Sequence, residues 1–289
     1  MNQLLMTLRF YATGTFQLVI GDTFNVHKST VCRIVHRVTA AIARLRAKYV
    51  RFPATAQEKC RVMNEFYKGS GMPGVIGAID CTHVPIQSPG GEDGEIYRNR
   101  KGYFSINVQL ICDKTGYISD IVARWPGSVH GSTIFDNSHV RAMMERSGHE
   151  GYLIGDGGYP CRRYILTPIT NPTSNAAKKY NAAHVAARNC IERANGILKR
   201  RFPALKYGMR VTVDHTLPVI VAAVVLNNIA LMMGDDEPPV DEILSSYIQR
   251  MKLQGTTVDF DPVEVAPPDS AGHTGVFGMR QAVIDSHFS

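Results

Sequence analysis

The chain has 289 residues, of which 44% are hydrophobic, 20% charged and 8% aromatic. This globular composition excludes a collagen, a wholly disordered chain and a disulfide-stapled mini-protein, and the length allows one or two domains with a sizeable core. Residues 1–234 carry a net charge of +14, whereas residues 235–289 carry −7. A basic body with an acidic tail favours a polyanionic partner such as DNA, with charge for solubility as the alternative.

Residues 1–50 are predicted to be helical and to form a helix-turn-helix-like region. Apolar residues recur at spacings of three and four from Val31 to Ile42, which is typical of an amphipathic helix, and Ser29 or Thr30 is the predicted N-cap. Two shorter helices with a turn near Gly14 precede it. On its exposed face, the predicted DNA-binding residues are Lys28, Arg33 and Arg37. The alternative is a small helical bundle with a solvated basic face.

The central part of the chain alternates between strand and helix patterns. Residues 51–74 are rich in Gly and Pro and are predicted to be a linker around a short helix at 56–68. β-branched, apolar runs then predict strands at 75–87, 105–116, 117–128, 151–160 and 164–168, with helices at 130–147, 178–201 and 216–233. This order predicts an α/β fold with a mixed sheet in a domain that spans residues 75–233.

The helix predicted over 216–233 is apolar enough to be compared with a membrane span. The apolar stretch 216–233 approaches the length of a membrane span, but Pro218 lies near its start and Asn227 and Asn228 interrupt it. We therefore predict a buried core helix and no membrane partner.

Residues 234–289 are acidic and rich in proline, which predicts a largely flexible tail with a short amphipathic helix near its end.

Three acidic residues lie in settings that are unusual for a charge. Asp80 follows an apolar strand, Asp156 ends another strand before two glycines, and Glu192 lies within a helix beside Ile191. A desolvated carboxylate without a partner costs several kcal/mol, so such acids are usually ion-paired or bind a metal. If the three meet, their oxygen-only ligand set suits Mg²⁺ or Mn²⁺.

Each acid also has a structural interpretation. Asp156 before Gly157 and Gly158 is a plausible turn former. Glu192 could pair with Arg188, four residues earlier on the same helix. Taken singly, each acid favours the structural interpretation, whereas the three together, on strand, strand and helix, favour a metal site.

The residues around these acids resemble a known family. The motifs are GAIDCTH at 77–83, YRNRKGYFSINVQLICD at 97–113, RWPGSVH at 124–130, IGDGGYP at 154–160 and ARNCIERANGILKRRFP at 187–203. They resemble those of the transposase-derived nucleases of the PIF/Harbinger superfamily, which carry a DDE endonuclease domain. The resemblance covers roughly residues 1–233.

The resemblance implies an RNase H-like fold and a nuclease function. It implies Asp80, Asp156 and Glu192 as the catalytic, metal-binding triad, and the 35 residues between the last two fit the usual spacing. The expected reaction is hydrolysis of DNA phosphodiester bonds with two divalent ions, Mg²⁺ or Mn²⁺. The resemblance also implies a Myb-like DNA-binding partner. It further implies a nuclear location, with a cytoplasmic location as an additional option, and it allows an oligomer.

Several further residues complete the predicted site. The basic and aromatic loop at 97–104 would contact DNA through Arg98, Arg100 and Lys101, or would be a solvated hairpin with its aromatic rings tucked into the core. His83 and His130 are candidates for contacts around the metals, and an ordinary structural histidine is the alternative at both positions.

Two positions depart from the family pattern. Gly131 stands where the family usually has an aspartate, and Asn227–Asn228 stands where it usually has His-Asn. Neither is a triad residue. The departure at Gly131 keeps an alternative function open, namely a catalytically inactive, domesticated DNA-binding or adaptor protein.

Overall fold

A five-stranded mixed sheet forms the centre of the molecule. The computed structural model describes residues 2–14, 16–146, 150–239 and 276–289. The strands are β1 (Val75–Pro85), β2 (Ser105–Cys112), β3 (Ile118–Pro126), β4 (Tyr152–Ile154) and β5 (Ile165–Leu166). Their order is β3-β2-β1-β4-β5, in which β3, β2 and β1 are antiparallel neighbours and β4 and β5 run parallel to β1. The predicted α/β class with a mixed sheet is confirmed, and the arrangement is consistent with an RNase H-like fold.

Helices precede the sheet in the chain and flank it. The helices are α1 (Asn2–Thr13), α2 (Gln17–Phe24), α3 (Lys28–Ala43), α4 (Arg46–Tyr49), α5 (Ala56–Ser70), α6 (Gly131–Asp136), α7 (His139–Glu145), α8 (Asn175–Arg201), α9 (Ala204–Tyr207), α10 (Val213–Met232) and α11 (Val276–His287). The segment predicted as a linker holds α5, which packs on β1 and α8 through its buried residues Val62 and Phe66.

The N-terminal helices follow the predicted order. A turn through Asn25, whose φ is 52°, joins α2 to α3. The N-cap of α3 is His27, where we predicted Ser29 or Thr30, because the His27 imidazole accepts a hydrogen bond from the Ser29 N–H. The apolar face of α3 packs against α10. The DNA-binding role of this region stays a prediction.

The sheet and α8 approach each other closely. All eight residues of β2 are buried. A Cβ added at Gly77 of β1 would lie 2.7 Å from Ile111 Cγ2, so only glycine fits there without a shift. On α8 the buried face includes the small residues Ala183, Ala187 and Ala194, which let the helix lie near β1. This packing brings α8 beside the middle of β1.

Two of the differences from the predicted elements have a clear local cause. The helix predicted over 130–147 is two helices, because the Ser138 side chain caps a new helix by accepting a hydrogen bond from the Arg141 N–H. Residues 147–149 lie outside the described residues. The strand predicted over 151–160 ends at Ile154, and the chain then turns at the two glycines.

Helix α10 lies partly inside the molecule. By length and composition alone it could span a membrane, yet half of its most apolar window is buried in the protein. It carries Pro218 in its second turn. Its buried face meets α3, α4 and β3, as expected for the predicted core helix.

The end of the chain packs on α8. Residues 240–275, which are most of the tail predicted to be flexible, lie outside the described residues. The predicted C-terminal amphipathic helix is present as α11, and Val283, Ile284 and Phe288 are buried in the main core. The Lys179 ammonium also donates a hydrogen bond to the Phe288 carbonyl.

We predict that Asn228 is a main stabilising contact of α10. Its Oδ1 accepts a hydrogen bond from the Ile118 N–H at 3.0 Å, and its Nδ2 donates to the carbonyls of Ile118 and Tyr49, each at 2.7 Å. Replacing it with leucine would leave buried backbone groups unsatisfied, so Asn228→Leu should cost about 2–4 kcal/mol of unfolding free energy, measured by urea denaturation.

The control is Met232→Ala on the same helix, where the side chain is 63% exposed. Its unfolding free energy should stay within about 0.5 kcal/mol of the unaltered protein. An Asn228→Leu variant as stable as this control would contradict the assignment.

Candidate catalytic site

The register of the parallel strands brings two of the predicted acids together. Ala78 of β1 pairs with Ile154 of β4. Asp80 and Asp156 each lie two residues farther along the same direction, so they stand side by side although the ladder has ended. Asp80 lies in the middle of β1, opposite Leu110, within the strand predicted over 75–87 and directly after its most apolar part.

Glu192 reaches the same place from α8. This helix packs along β1, and Glu192 lies one turn beyond Arg188. The side chain of Glu192 is 56% exposed, whereas those of Asp80 and Asp156 are 19% and 32% exposed. The site is therefore half-buried on the strand side and open to solvent on the helix side.

One arginine contacts all three acids. Arg188 Nη2 lies 3.6 Å from Asp80 Oδ1 and 3.9 Å from Asp156 Oδ2, and Arg188 Nη1 donates a hydrogen bond of 2.6 Å to Glu192 Oε1. Opposite charge stabilises carboxylates that burial would otherwise penalise. The three acids thus converge on a single cationic group.

Burial and charge both alter protonation in this cluster. Burial raises the pKa of Asp80 to about 6, the Arg188 charge opposes that shift, and the charges of Asp156 and Glu192 add to it. Burial alone would lower the pKa of Arg188, but the three carboxylates outweigh burial and raise it. Burial thus disfavours the ionised form of Asp80 even with the guanidinium beside it.

Both structural interpretations of the acids also hold in the structure. Asp156 Oδ1 accepts a hydrogen bond from the Gly158 N–H at 3.0 Å, which is the predicted turn contact. Glu192 pairs with Arg188 along α8, as the spacing of four residues indicates. These local roles hold the carboxylates in place, and they do not compete with the convergence of the three acids.

The sequence interpretation missed two residues of the site. It assigned Arg188 only to Glu192, whereas the guanidinium also contacts both aspartates. It did not include Asn195, whose Nδ2 donates a hydrogen bond of 3.2 Å to Asp80 Oδ2. Residues 188, 192 and 195 follow the spacing of one helix face, so a helical projection of α8 would have placed Arg188 and Asn195 beside Glu192.

The two histidines lie in different surroundings. The Nδ1 atom of His83 is 2.9 Å from Ser105 Oγ, and its ring packs edge-on to Tyr103. His83 is three residues past Asp80 on β1, so the two side chains point to opposite faces of the strand. His130 is exposed and occupies the N-cap position of α6. Their predicted role around a metal stays a prediction.

The basic loop lies near the far end of β1. Ser105 pairs with Pro85, five residues past Asp80, so the loop is roughly 16 Å along the strand from the acids. Arg98 pairs with Glu95 at 2.7 Å and stacks on the Phe104 ring, while Arg100 and Lys101 are exposed.

The basic residues of α3 are also at the surface. Lys28, Arg33 and Arg37 are exposed, and Arg37 donates a hydrogen bond of 2.8 Å to Gln3 Oε1. These positions allow contact with a large anionic ligand, and DNA binding by them stays a prediction.

The donor chemistry of the cluster fits a hard divalent cation. The triad supplies carboxylate oxygens, which are the preferred ligands of Mg²⁺ and Mn²⁺. Within the described ranges, however, no three His, Cys, Asp or Glu side chains are disposed to hold a metal ion directly. In this cluster the position among the carboxylates is taken by the Arg188 guanidinium.

Comparison with known families identifies the family of this chain. The family of DDE superfamily endonucleases matches residues 79–228, a segment that contains all three acids. The chain belongs to this family. The predicted resemblance to Harbinger transposase-derived nucleases is thereby confirmed.

Similar proteins occur in animals and plants. The chain is 34% identical to "Putative nuclease HARBI1" of Bos taurus, over all of this chain and 80% of that protein. It is 34% identical to the Homo sapiens protein of the same name, over 81% of this chain and 68% of that protein. The "Protein ALP1-like" of Arabidopsis thaliana is 27% identical over 86% of this chain and 66% of its own length. No solved structure matches the chain.

We predict that Asp80→Asn stabilises the metal-free protein at neutral pH. Because the folded-state pKa of about 6 lies above the ordinary 3.8, ionised Asp80 lowers the stability of the fold above pH 6. That cost disappears as the pH falls from about 6 to about 4, where the folded protein takes up the proton. The gain from asparagine should be roughly 1–3 kcal/mol at pH 7 and close to zero at pH 4.

The measurement is urea unfolding across this pH range in the presence of a chelator. Asp22→Asn, at an exposed position on α2, is the matched control and should change stability by less than about 0.5 kcal/mol at any pH. An Asp80→Asn protein that is less stable than the unaltered chain at pH 7 would show that the ionised carboxylate is a net stabilising group.

Proposed function

We propose that this chain is a divalent-metal-dependent DNA endonuclease of the transposase-derived kind, with Asp80, Asp156 and Glu192 as its catalytic acids. The observation that carries the proposal is the convergence of these three acids, from β1, the turn after β4 and α8, on one cationic group. Their location in the region matched by the endonuclease family supports it.

The three carboxylates would hold Mg²⁺ or Mn²⁺, with two ions expected for this type of reaction. Bound there, the cations would lower the pKa of a water or a DNA 3′-hydroxyl and stabilise the oxygen that leaves phosphorus. The chain's own contribution is orientation. Asn195 holds one oxygen of Asp80, and the Gly158 N–H holds one oxygen of Asp156, so the remaining oxygens face the cluster.

DNA would lie across the exposed basic residues. We assign phosphate contacts to Arg98, Arg100 and Lys101 of the loop before β2 and to Lys28, Arg33 and Arg37 of α3. The net charge of +14 on residues 1–234 supports this assignment. A nuclear location and a Myb-like partner that recognises the DNA site remain part of the proposal, on the strength of the family alone.

A second candidate is a DNA-binding or adaptor protein that has lost cleavage. Gly131 favours it, because a Cβ at this position would lie 3.0 Å from Cys81 Sγ and 3.1 Å from Tyr159 Oη. The structure thus leaves little room for the aspartate that the family usually has there. One more distant relative, 23% identical, is named "Antagonist of like heterochromatin protein 1", and that name does not describe a nuclease.

Plasmid nicking in the presence of Mg²⁺ or Mn²⁺ tests the nuclease directly. Asp80→Asn, Asp156→Asn and Glu192→Gln should each reduce cleavage by about a hundredfold or more, because loss of an outer-shell contact alone typically costs about 10–100-fold. DNA binding by the same variants, measured without metal, should stay close to that of the unaltered chain.

The control variant is Asp93→Asn, which removes an exposed acid outside the cluster and should cleave normally. Full cleavage by the Asp80→Asn variant would refute the assigned triad. The second candidate would be favoured if the unaltered chain and every variant bind DNA in a salt-sensitive way and none cleaves it with Mg²⁺ or Mn²⁺.

A further inference from the structure

The carboxylates of the candidate site share an internal counter-ion. One guanidinium faces three acids, so the cluster keeps a formal charge of −2 when all of them are ionised. The Arg188 side chain is 20% exposed and comes from the same helix as Glu192. Arg188 thus occupies the position that a divalent cation would need.

We propose that Arg188 is an exchangeable counter-cation, which holds the three acids together in the metal-free protein and leaves the cluster when a divalent cation binds. This inference rests on the proposed metal-dependent function and adds a form of control to it. Metal binding would be coupled to movement of one side chain, and the affinity for metal would be set partly by how strongly Arg188 is held.

Exchange follows from the contacts and the charges. The two amino groups of the guanidinium already face one oxygen of each acid, so a metal that took those oxygens would lie directly beside the guanidinium. A divalent cation beside a half-buried guanidinium would also be repelled, and repulsion is strong where solvent screens poorly. Arg188 and the cation therefore compete for the same carboxylates.

The surroundings of Arg188 allow it to leave. Its separations from Asp80 and Asp156, 3.6 and 3.9 Å, exceed a normal hydrogen bond, and only the contact with Glu192 is short at 2.6 Å. In the described part of the chain, its buried Nε has no hydrogen-bond partner. Glu192 is 56% exposed, so the cluster opens to solvent on the side from which Arg188 comes.

Binding of Mn²⁺ alone, followed by the electron paramagnetic resonance signal of the free ion, tests the exchange without DNA or turnover. Arg188→Gln removes the competing charge and should bind Mn²⁺ about tenfold or more tightly than the unaltered chain. Arg188→Lys keeps a charge but not the forked geometry, and should lie between the two. The control is Arg193→Gln, on the same helix, where the side chain pairs with Glu237 and is 56% exposed.

If folded Arg188→Gln binds Mn²⁺ as weakly as the unaltered chain or more weakly, the exchange is overturned. If Asp80→Asn also loses the Mn²⁺ binding that the unaltered chain shows, the nuclease proposal stays intact. No Mn²⁺ binding by any folded protein, including the unaltered chain, would overturn both. Tighter binding by Arg188→Gln and unchanged binding by Arg193→Gln would support the exchange.

A second measurement needs no substitution. In ¹⁵N-labelled unaltered protein, the Nε–H resonance of Arg188 should shift on titration with Mg²⁺, with the same midpoint as metal binding. The Nε–H resonance of Arg193 should stay in place. An Arg188 resonance that does not move while Mg²⁺ binds at the acids would overturn the exchange, even if the variants do not fold.

Discussion

The candidate site depends on a single electrostatic constraint: carboxylates that leave water need a positive charge beside them. Asp80 is the most buried of the three acids, and its pKa is raised although a guanidinium lies 3.6 Å away. One cation therefore compensates the three charges only in part. Replacing a buried ion-pair cluster with well-packed apolar residues is often neutral or stabilising, so stability alone gives little reason to keep one. Its presence is consistent with a site kept for binding a stronger cation.

The fold meets this constraint with few parts. Parallel pairing of β1 and β4 sets Asp80 and Asp156 side by side, and the small residues on the buried face of α8 let that helix carry Arg188 and Glu192 to the same point. Asn228, in turn, holds α10 against the start of β3 through hydrogen bonds to the Ile118 backbone. Asp80 and Glu192 thus lie on regular elements and Asp156 lies in the turn directly after β4, as suits a site that must hold a fixed geometry.

Much of this arrangement could be predicted from the sequence, for definite reasons. Apolar runs marked the strands, and an acid within such a run is rare enough to single out Asp80. Helical spacing places Arg188 on the face of Glu192, but its contacts with Asp80 and Asp156 depend on how α8 packs on the sheet, which the spacing does not show. The break before Ser138 depends on a cap that competes with a continuous apolar pattern, and the pattern alone does not reveal it. Gly131 was noticed as a departure, but its lack of room beside Cys81 and Tyr159 is visible only in three dimensions.

We propose that these three acids form one cation site, and a crystal of the protein soaked in Mn²⁺, with data collected at the manganese absorption edge, would show it. We expect an anomalous peak at coordination distance from Asp80 and Asp156, with the Arg188 guanidinium moved away from it. Anomalous peaks only elsewhere on the protein, with Arg188 still seated among the acids, would contradict it.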